Sequence, residues 1–353
     1  MNKRVFSGAM VAALLATAGL SQPAAAAQAA TIVARYVVST QTDTELMRYD
    51  AADDLIWVVD SANAQLVAID PTNGAERVRV GIPQGLPPEG VADIAFGDGA
   101  VWLTHFNRGG PGLLFRLDPA TGAVLATYST HGNGAEGIAF LGGGLWVANH
   151  RQDASGTSGS VAELDPATGA ELRHVLVGAP QERSGPQMLT AAAGSVWTGV
   201  PNLVGVVRIT PTATGATTQL IDGGSTNHGH KIVGAACGPL AADSAGHVFF
   251  ADGGCLPSGL GRIDVATNTS TEYPESGTVA GLAAGLGSVW ISVGGEGGNE
   301  WSSFVARVDP ATGAILGKTA TGNQTGYGDV QVDAGRGLVY ASTFNGLVLV
   351  LKP

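Results

Sequence analysis

Short apolar runs rich in β-branched and aromatic residues follow one another down the chain with turn residues between them. Ala92-Asp93-Ile94-Ala95-Phe96, Ala100-Val101-Trp102-Leu103-Thr104, Leu113–Leu117 and Ala123–Tyr128 make one such set of four. Gly97-Asp98-Gly99 separates the first two, a glycine-containing loop from His105 to Gly112 the next two, and Asp118-Pro119-Ala120-Thr121-Gly122 the last two. Runs of this length and composition, bounded by Gly, Pro and Asp, predict strands. No helical periodicity intervenes, and the connections are too short for crossover helices, so the strands should be antiparallel. In the turn phrase Pro119 presets φ, the Asp118 side chain can accept backbone N–H groups, and Gly122 supplies the positive φ that closes the hairpin.

The set repeats. Asp118–Gly122 returns as Asp165–Gly169 and Asp309–Gly313, loosens to Asp70–Gly74, and degrades at Thr210-Pro211 and at Asp264–Asn268, in steps of 45–54 residues. An aromatic series runs in phase with it: Trp57, Trp102, Trp146, Trp197, Phe249, Trp290 and Tyr340. Four antiparallel strands per repeat of this length describe a propeller blade. The last aromatic, Tyr340, is followed by only 13 residues, which is where a turn phrase would begin. The final unit therefore lacks an outermost strand, and Thr31–Ser39 precedes the first complete unit with no partner of its own. Pairing that segment with Gly346–Leu351 would close the ring and cover both edges. The expected fold is all-β: a seven-bladed β-propeller of four-stranded antiparallel blades, closed by the N-terminal strand completing the last blade.

Residues 1–27 stand apart. Met1-Asn2-Lys3-Arg4 is a positive start, Val5–Leu20 is mostly apolar, and Ala25-Ala26-Ala27 offers a small-residue cleavage site before Gln28. This predicts a secretory signal peptide at 1–27 and a single propeller domain at 28–353, secreted to the periplasm or beyond the cell. No later stretch is apolar for long enough to span a membrane, so no stable membrane insertion is expected. The formal net charge is −11, with 13 % charged residues and 53 Gly. That balance carries no basic footprint for nucleic acid and suits a compact, turn-rich β protein. Cys237 and Cys255 are the two cysteines; in an exported chain they predict a disulfide. A loop of that size gives about 3 kcal/mol in the chain-entropy model.

The units resemble the YVTN-type and streptogramin-lyase-like (virginiamycin B lyase-like) repeat propellers of bacteria, through Gly144-Leu145-Trp146-Val147-Ala148-Asn149, Gly287-Ser288-Val289-Trp290-Ile291 and Val305–Gly313. The resemblance covers residues 40–353 and implies the propeller fold. For the lyases it further implies a divalent metal and His/Glu chemistry that opens a cyclic depsipeptide by elimination. Their repeat carries an acid three places after the Trp. The corresponding residues here are Asp60, His105, Asn149, Val200, Asp252, Val293 and Thr343, with no Glu among them.

Candidate chemistry gathers on the face opposite the turn phrases. The longest connection into a first strand contains Asn227-His228-Gly229-His230, where two imidazoles at alternate positions could share a metal. Glu136, Gln187 and Asp329 fall near the starts of innermost strands, with Asp93 beside that level, and convergent carboxylates suit Mg²⁺ or Ca²⁺. His105, His150, Arg108 and Arg151 on neighbouring units suit an anionic ligand or a general acid–base step. Asn149, Asp252 and Glu296 complete the set of ligand-binding candidates; His105, His150, His228 and His230 are the catalytic ones, and His228, His230, Glu136 and Asp329 the metal ones. No phosphate loop or nucleophile elbow is present. The first expectation is a monomeric, non-enzymatic module that binds a small molecule, peptide or protein. The alternatives are a metal-assisted lyase or hydrolase, and a structural scaffold in a periplasmic or extracellular assembly.

Overall fold

The computed structural model describes residues 28–41, 46–107, 110–151, 159–177, 185–200, 205–222, 226–227, 230–231, 238–252, 259–273, 277–294, 303–322 and 328–353. The expected signal peptide, Arg108, His228, Cys237, Cys255 and Glu296 lie outside the described residues, as do the side chains of Arg151, His230 and Asp252. Every regular element described is a strand or a single 3-10 turn.

Four sheets follow one plan, first strand to fourth from the inside outward. The Trp57 unit is Met47–Asp50, Leu55–Asp60, Gln65–Ile69 and Glu76–Gly81. The Trp197 unit is Leu189–Ala192, Ser195–Val200, Gly205–Thr212 and Gly215–Asp222. The Phe249 unit is Leu240–Ala242, His247–Asp252, Gly259–Asp264 and Thr269–Glu272. The Trp290 unit is Thr278–Gly285, Ser288–Gly294, Phe304–Val308 and Ile315–Ala320.

The Trp102 and Trp146 units share a seven-stranded sheet, joined through the long strand Val124–Leu141. Its first part, through Ser129, pairs with Pro111–Leu117; its second, from Ala135, pairs with Gly144–Arg151. His131 and Gly134, at φ 57° and 67°, lie between them. One strand is thus outermost in one unit and innermost in the next.

The last sheet takes Val330–Asp333, Leu338–Ser342 and Leu347–Lys352 from the C-terminal end and Thr31–Val37, outermost, from the other. The register runs from Thr31 opposite Lys352 to Val37 opposite Leu347. The strand exchange expected from the absent turn phrase is present, and it removes the free edge that the last unit would otherwise expose. Innermost strands contact one another in cyclic order from the Trp57 unit to the Tyr340 unit and back again.

The phased aromatics are the core of each sheet, none more than 1 % exposed. Trp102, Trp197 and Trp290 donate their indole N–H to the carbonyl five residues earlier, at 3.0–3.2 Å. An arginine directly across on the third strand covers each ring, with Arg116, Arg208 and Arg307 at 5.6, 5.0 and 5.9 Å from the ring centroid. The residue two places before the turn phrase is therefore a cation–π cover for the core Trp.

The turn phrase does two jobs. Asp118 Oδ1 accepts from Ala120 N–H, Thr121 N–H and Thr121 Oγ1 at 2.8–2.9 Å, and Gly122 sits at φ 70°. Asp70, Asp165, Asp264 and Asp309 accept equivalent backbone bonds. Where Thr210 replaces the Asp, nothing gathers those N–H groups, and the hairpin instead runs on until Thr212 faces Gly215.

The second job lies between units. A Cβ on Gly74, Gly169 or Gly313 would come within 2.1–2.3 Å of the ring of Tyr36, Tyr128 or Tyr273 from the preceding unit. Each tyrosine hydroxyl donates to a carbonyl of that same turn: Pro71 (3.2 Å), Ala167 (3.0 Å) and Pro310. The glycine that closes the hairpin also leaves room for the neighbouring blade to hold it.

A candidate ligand site at the channel mouth

The innermost strands surround a cavity of about 480 Å³. Along each strand alternate side chains face the same way, so the residue paired with the core aromatic marks one level of the wall. Around the ring that level reads Arg48, Ala95, Ala139, Thr190, Ala241, Ala283 and Gln331. Of these, Arg48, Ala241, Ala283 and Gln331 line the cavity, and Arg48 is the one charge among them. Two residues earlier in their strands stand Asp93 and Asp329, towards the loops that lead into the sheet.

Arg48 bridges both. Its Nη2 donates to Asp93 Oδ1 at 2.6 Å, and its Nη1 donates to Asp329 Oδ2 and, at 2.9 Å, to the Met47 carbonyl. Asp93 is 3 % exposed and also accepts from Ile94 N–H (2.9 Å) and Ile138 N–H (3.2 Å). Burial pushes its carboxyl pKa up, opposed by Arg48 and by those two backbone donors. Asp329 accepts from Val330 N–H at 2.8 Å, while its own N–H is held by Ser342 Oγ at 2.8 Å. The triad ties the Tyr340, Trp57 and Trp102 units together at the ring closure.

The opposite wall has another character. Met188, Leu189, Pro239, Leu240, Ala241 and Leu282 line it, from the Trp197, Phe249 and Trp290 units. Leu46, Val91, Ile94, Ile138 and Val332 also line the cavity, which thus sets one cluster of charged and amide groups among apolar side chains, the usual make-up of a small-molecule site.

The candidates from sequence fall into three groups. Asp329 lies at the mouth in contact with Arg48. Glu136 and Gln187 begin one residue farther out in register and stitch strands together through their backbones: Glu136 O accepts from Thr104 Oγ1 at 2.6 Å, and Gln187 O from Gly137 N–H at 3.1 Å. Gln187 Oε1 is buried with no hydrogen-bond partner among the described residues.

The second group holds loops. His105 is 4 % exposed, its Nε2 3.0 Å from the Pro87 carbonyl and its ring packed over Gly90. His150 is buried, with Nδ1 3.2 Å from the Gly185 carbonyl. The two imidazoles thus serve different loops. Asn149 is fully buried, donating to the Thr130 carbonyl at 2.9 Å. Arg108, Arg151, His228, His230, Asp252 and Glu296 form the third group, whose side chains lie outside the described residues. Among the described residues no group of three or more His, Cys, Asp or Glu is placed to hold a metal ion. The Asp329 carboxylate, offered as a metal ligand, is engaged by a guanidinium instead.

Arg48 itself is the residue that candidate-picking from sequence passes over. Its signal was present: it lies nine residues before Trp57, a position that is basic in no other unit.

No family model matches the chain, and no curated protein matches it in sequence. Solved structures do match in shape. A streptogramin B lyase structure superposes with a TM-score of 0.67 at 15 % identity, covering 90 % of this chain and 96 % of that one. The fold is that of a streptogramin-lyase-like β-propeller. The WD40 domain of Neurospora crassa Pan2 matches with a TM-score of 0.62 at 10 % identity, covering 88 % of this chain and 89 % of that one. BamB from Moraxella catarrhalis matches at 0.56 and 15 % identity, with 92 % and 98 % covered. At such identities the likeness is one of fold, and chemistry has to be argued from the site. No helix of the described residues is long and apolar enough to cross a membrane.

Proposed function

We propose that the chain is an exported seven-bladed β-propeller that binds a ligand at the mouth of its central channel. Dividing the long strand Val124–Leu141 between two blades gives the count of seven. Export rests on the leader-like residues 1–27, and a Cys237–Cys255 disulfide accords with it. The observation that carries the binding reading is the cavity, in which Arg48, Asp93, Asp329 and Gln331 form one polar cluster among apolar side chains. A central channel is common to propellers, so it is the composition of the lining rather than the opening that supports a ligand. Binding without catalysis is the simpler reading, because the described acids at the mouth are tied to Arg48 rather than poised as bases.

The test is a thermal-shift screen of a broad small-molecule and peptide library against the wild type and against Ala92→Phe/Ala280→Phe, two partly exposed lining positions at which the larger side chains fill the channel. Ligands that raise the wild-type Tm should lose their effect in the filled variant. Ligands that act equally on both proteins, or a library without hits, would refute the reading. Conversion of a hit into product would favour the lyase or hydrolase alternative.

A further inference from the structure

The charges at the mouth narrow the ligand to one chemical class, an inference that rests on the binding reading above. We propose that the channel mouth takes a small organic cation, an ammonium group carried on an apolar body. Among the described residues Arg48, Asp93 and Asp329 are the charged ones of the lining, which gives that part of the site one formal negative charge in excess. The two Nη1 hydrogens of Arg48 are taken by Asp329 and the Met47 carbonyl, and its Nη2 serves Asp93. An anion brought to the guanidinium competes with Asp93 and Asp329, which already hold it and whose like charge repels a second anion.

A cation meets no such competition. Asp329, with 13 % of its side chain exposed against 5 % for Asp93, presents its edge towards the opening. Across the cavity Met188, Leu240 and Leu282 offer an uncharged wall to the rest of the molecule. The acidity of the whole chain, net −11, draws cations to the opening as well.

Three isosteric probes test the sign: benzylammonium, benzyl alcohol and benzoate, titrated calorimetrically at low ionic strength. Benzylammonium should bind at least about tenfold more tightly than either of the others, a difference of ~1.4 kcal/mol. Asp329→Asn should erase that preference. Ala280→Lys, which adds a positive charge to the lining on a unit that carries none of the Arg48 pairs, should weaken benzylammonium and spare benzyl alcohol. Equal or tighter binding of benzoate or benzyl alcohol overturns the inference, as does a preference that survives both substitutions. If none of the probes binds while the library screen yields ligands sensitive to channel filling, the cation inference fails and the binding reading stands. If the screen is empty too, both fail.

Discussion

On the turn face five units solve the same problem with nearly the same atoms, whereas at the channel mouth neighbouring units contribute different chemistry. Asp70, Asp118, Asp165, Asp264 and Asp309 each gather the N–H groups of their own turn. Three of these turns are also held by a tyrosine from the preceding unit. At the mouth, one arginine serves two carboxylates and the facing units supply apolar side chains. Repetition spreads stability thinly over many equivalent local bonds. Divergence concentrates it, because charges taken out of water depend on specific partners.

The contrast predicts that a single change at the mouth costs more than any single change at a turn. Arg48→Met should destabilise by about 3–5 kcal/mol in urea denaturation, since it leaves Asp93 buried without its counter-ion. Adding Asp93→Asn should recover part of the loss. A cost below about 1 kcal/mol would show that the pair behaves like a surface salt bridge and would erase the contrast.

Next in size are the turn glycines. Gly313→Ala meets the Tyr273 ring at 2.1 Å, whereas Gly122→Ala, at nearly the same φ, meets only Val78 and Val80 methyls at 2.8 Å or more. Backbone strain of about 1–2 kcal/mol is common to both, and overpacking adds about 1–3 kcal/mol at Gly313. Comparing their thermal unfolding isolates the grip between blades; equal losses would mean that the tyrosine adjusts freely. Tyr273→Phe should be milder, about 0.5–1.5 kcal/mol, because it removes one hydrogen bond to the Pro310 carbonyl and keeps the ring.

The smallest effects are spread over the turns and appear with pH. Hydrogen bonds from Thr72 and Arg77 to Asp70, and from Thr121 to Asp118, hold those carboxyls below their usual range; backbone N–H donors from Thr267 and Thr312 do the same for Asp264 and Asp309. A folded pKa below the unfolded value of about 3.9 means stability that is present above that pH and is lost as the pH falls through the folded values. Acid unfolding should therefore begin below about pH 4 and be less steep in an Asp118→Asn/Asp309→Asn variant. An unchanged slope in that variant would place the acid sensitivity elsewhere.

Legibility divides along the same line. The strands follow from short apolar runs between turn residues, the core from phased aromatics, and the closure from the 13 residues left after Tyr340. These are local or periodic signals, and the strand exchange of Thr31–Val37 onto Leu347–Lys352 agrees with them. The grip of Tyr36, Tyr128 and Tyr273 on the turn glycines was not read from the sequence: each tyrosine lies about 40 residues before its glycine, but the spacing alone does not say that the two meet in space. At the site, Asp329 was named from its position in the repeat, but its partner Arg48 lies 281 residues away, with Asp93 a further contact 45 residues from Arg48. His105 and His150, chosen for their chemistry, turn out to brace loop carbonyls.

What the chain determined on its own was the repeat, its turns and the way its two ends meet, since each depends on neighbours in sequence or on counting. Only the closed ring decided which side chains share the channel. Closure brings the first strand of the first sheet against the first strand of the last, and there it pairs charges that no local pattern links. The physical reason is that a charge is satisfied by proximity in space, and proximity across a ring is set by the fold as a whole.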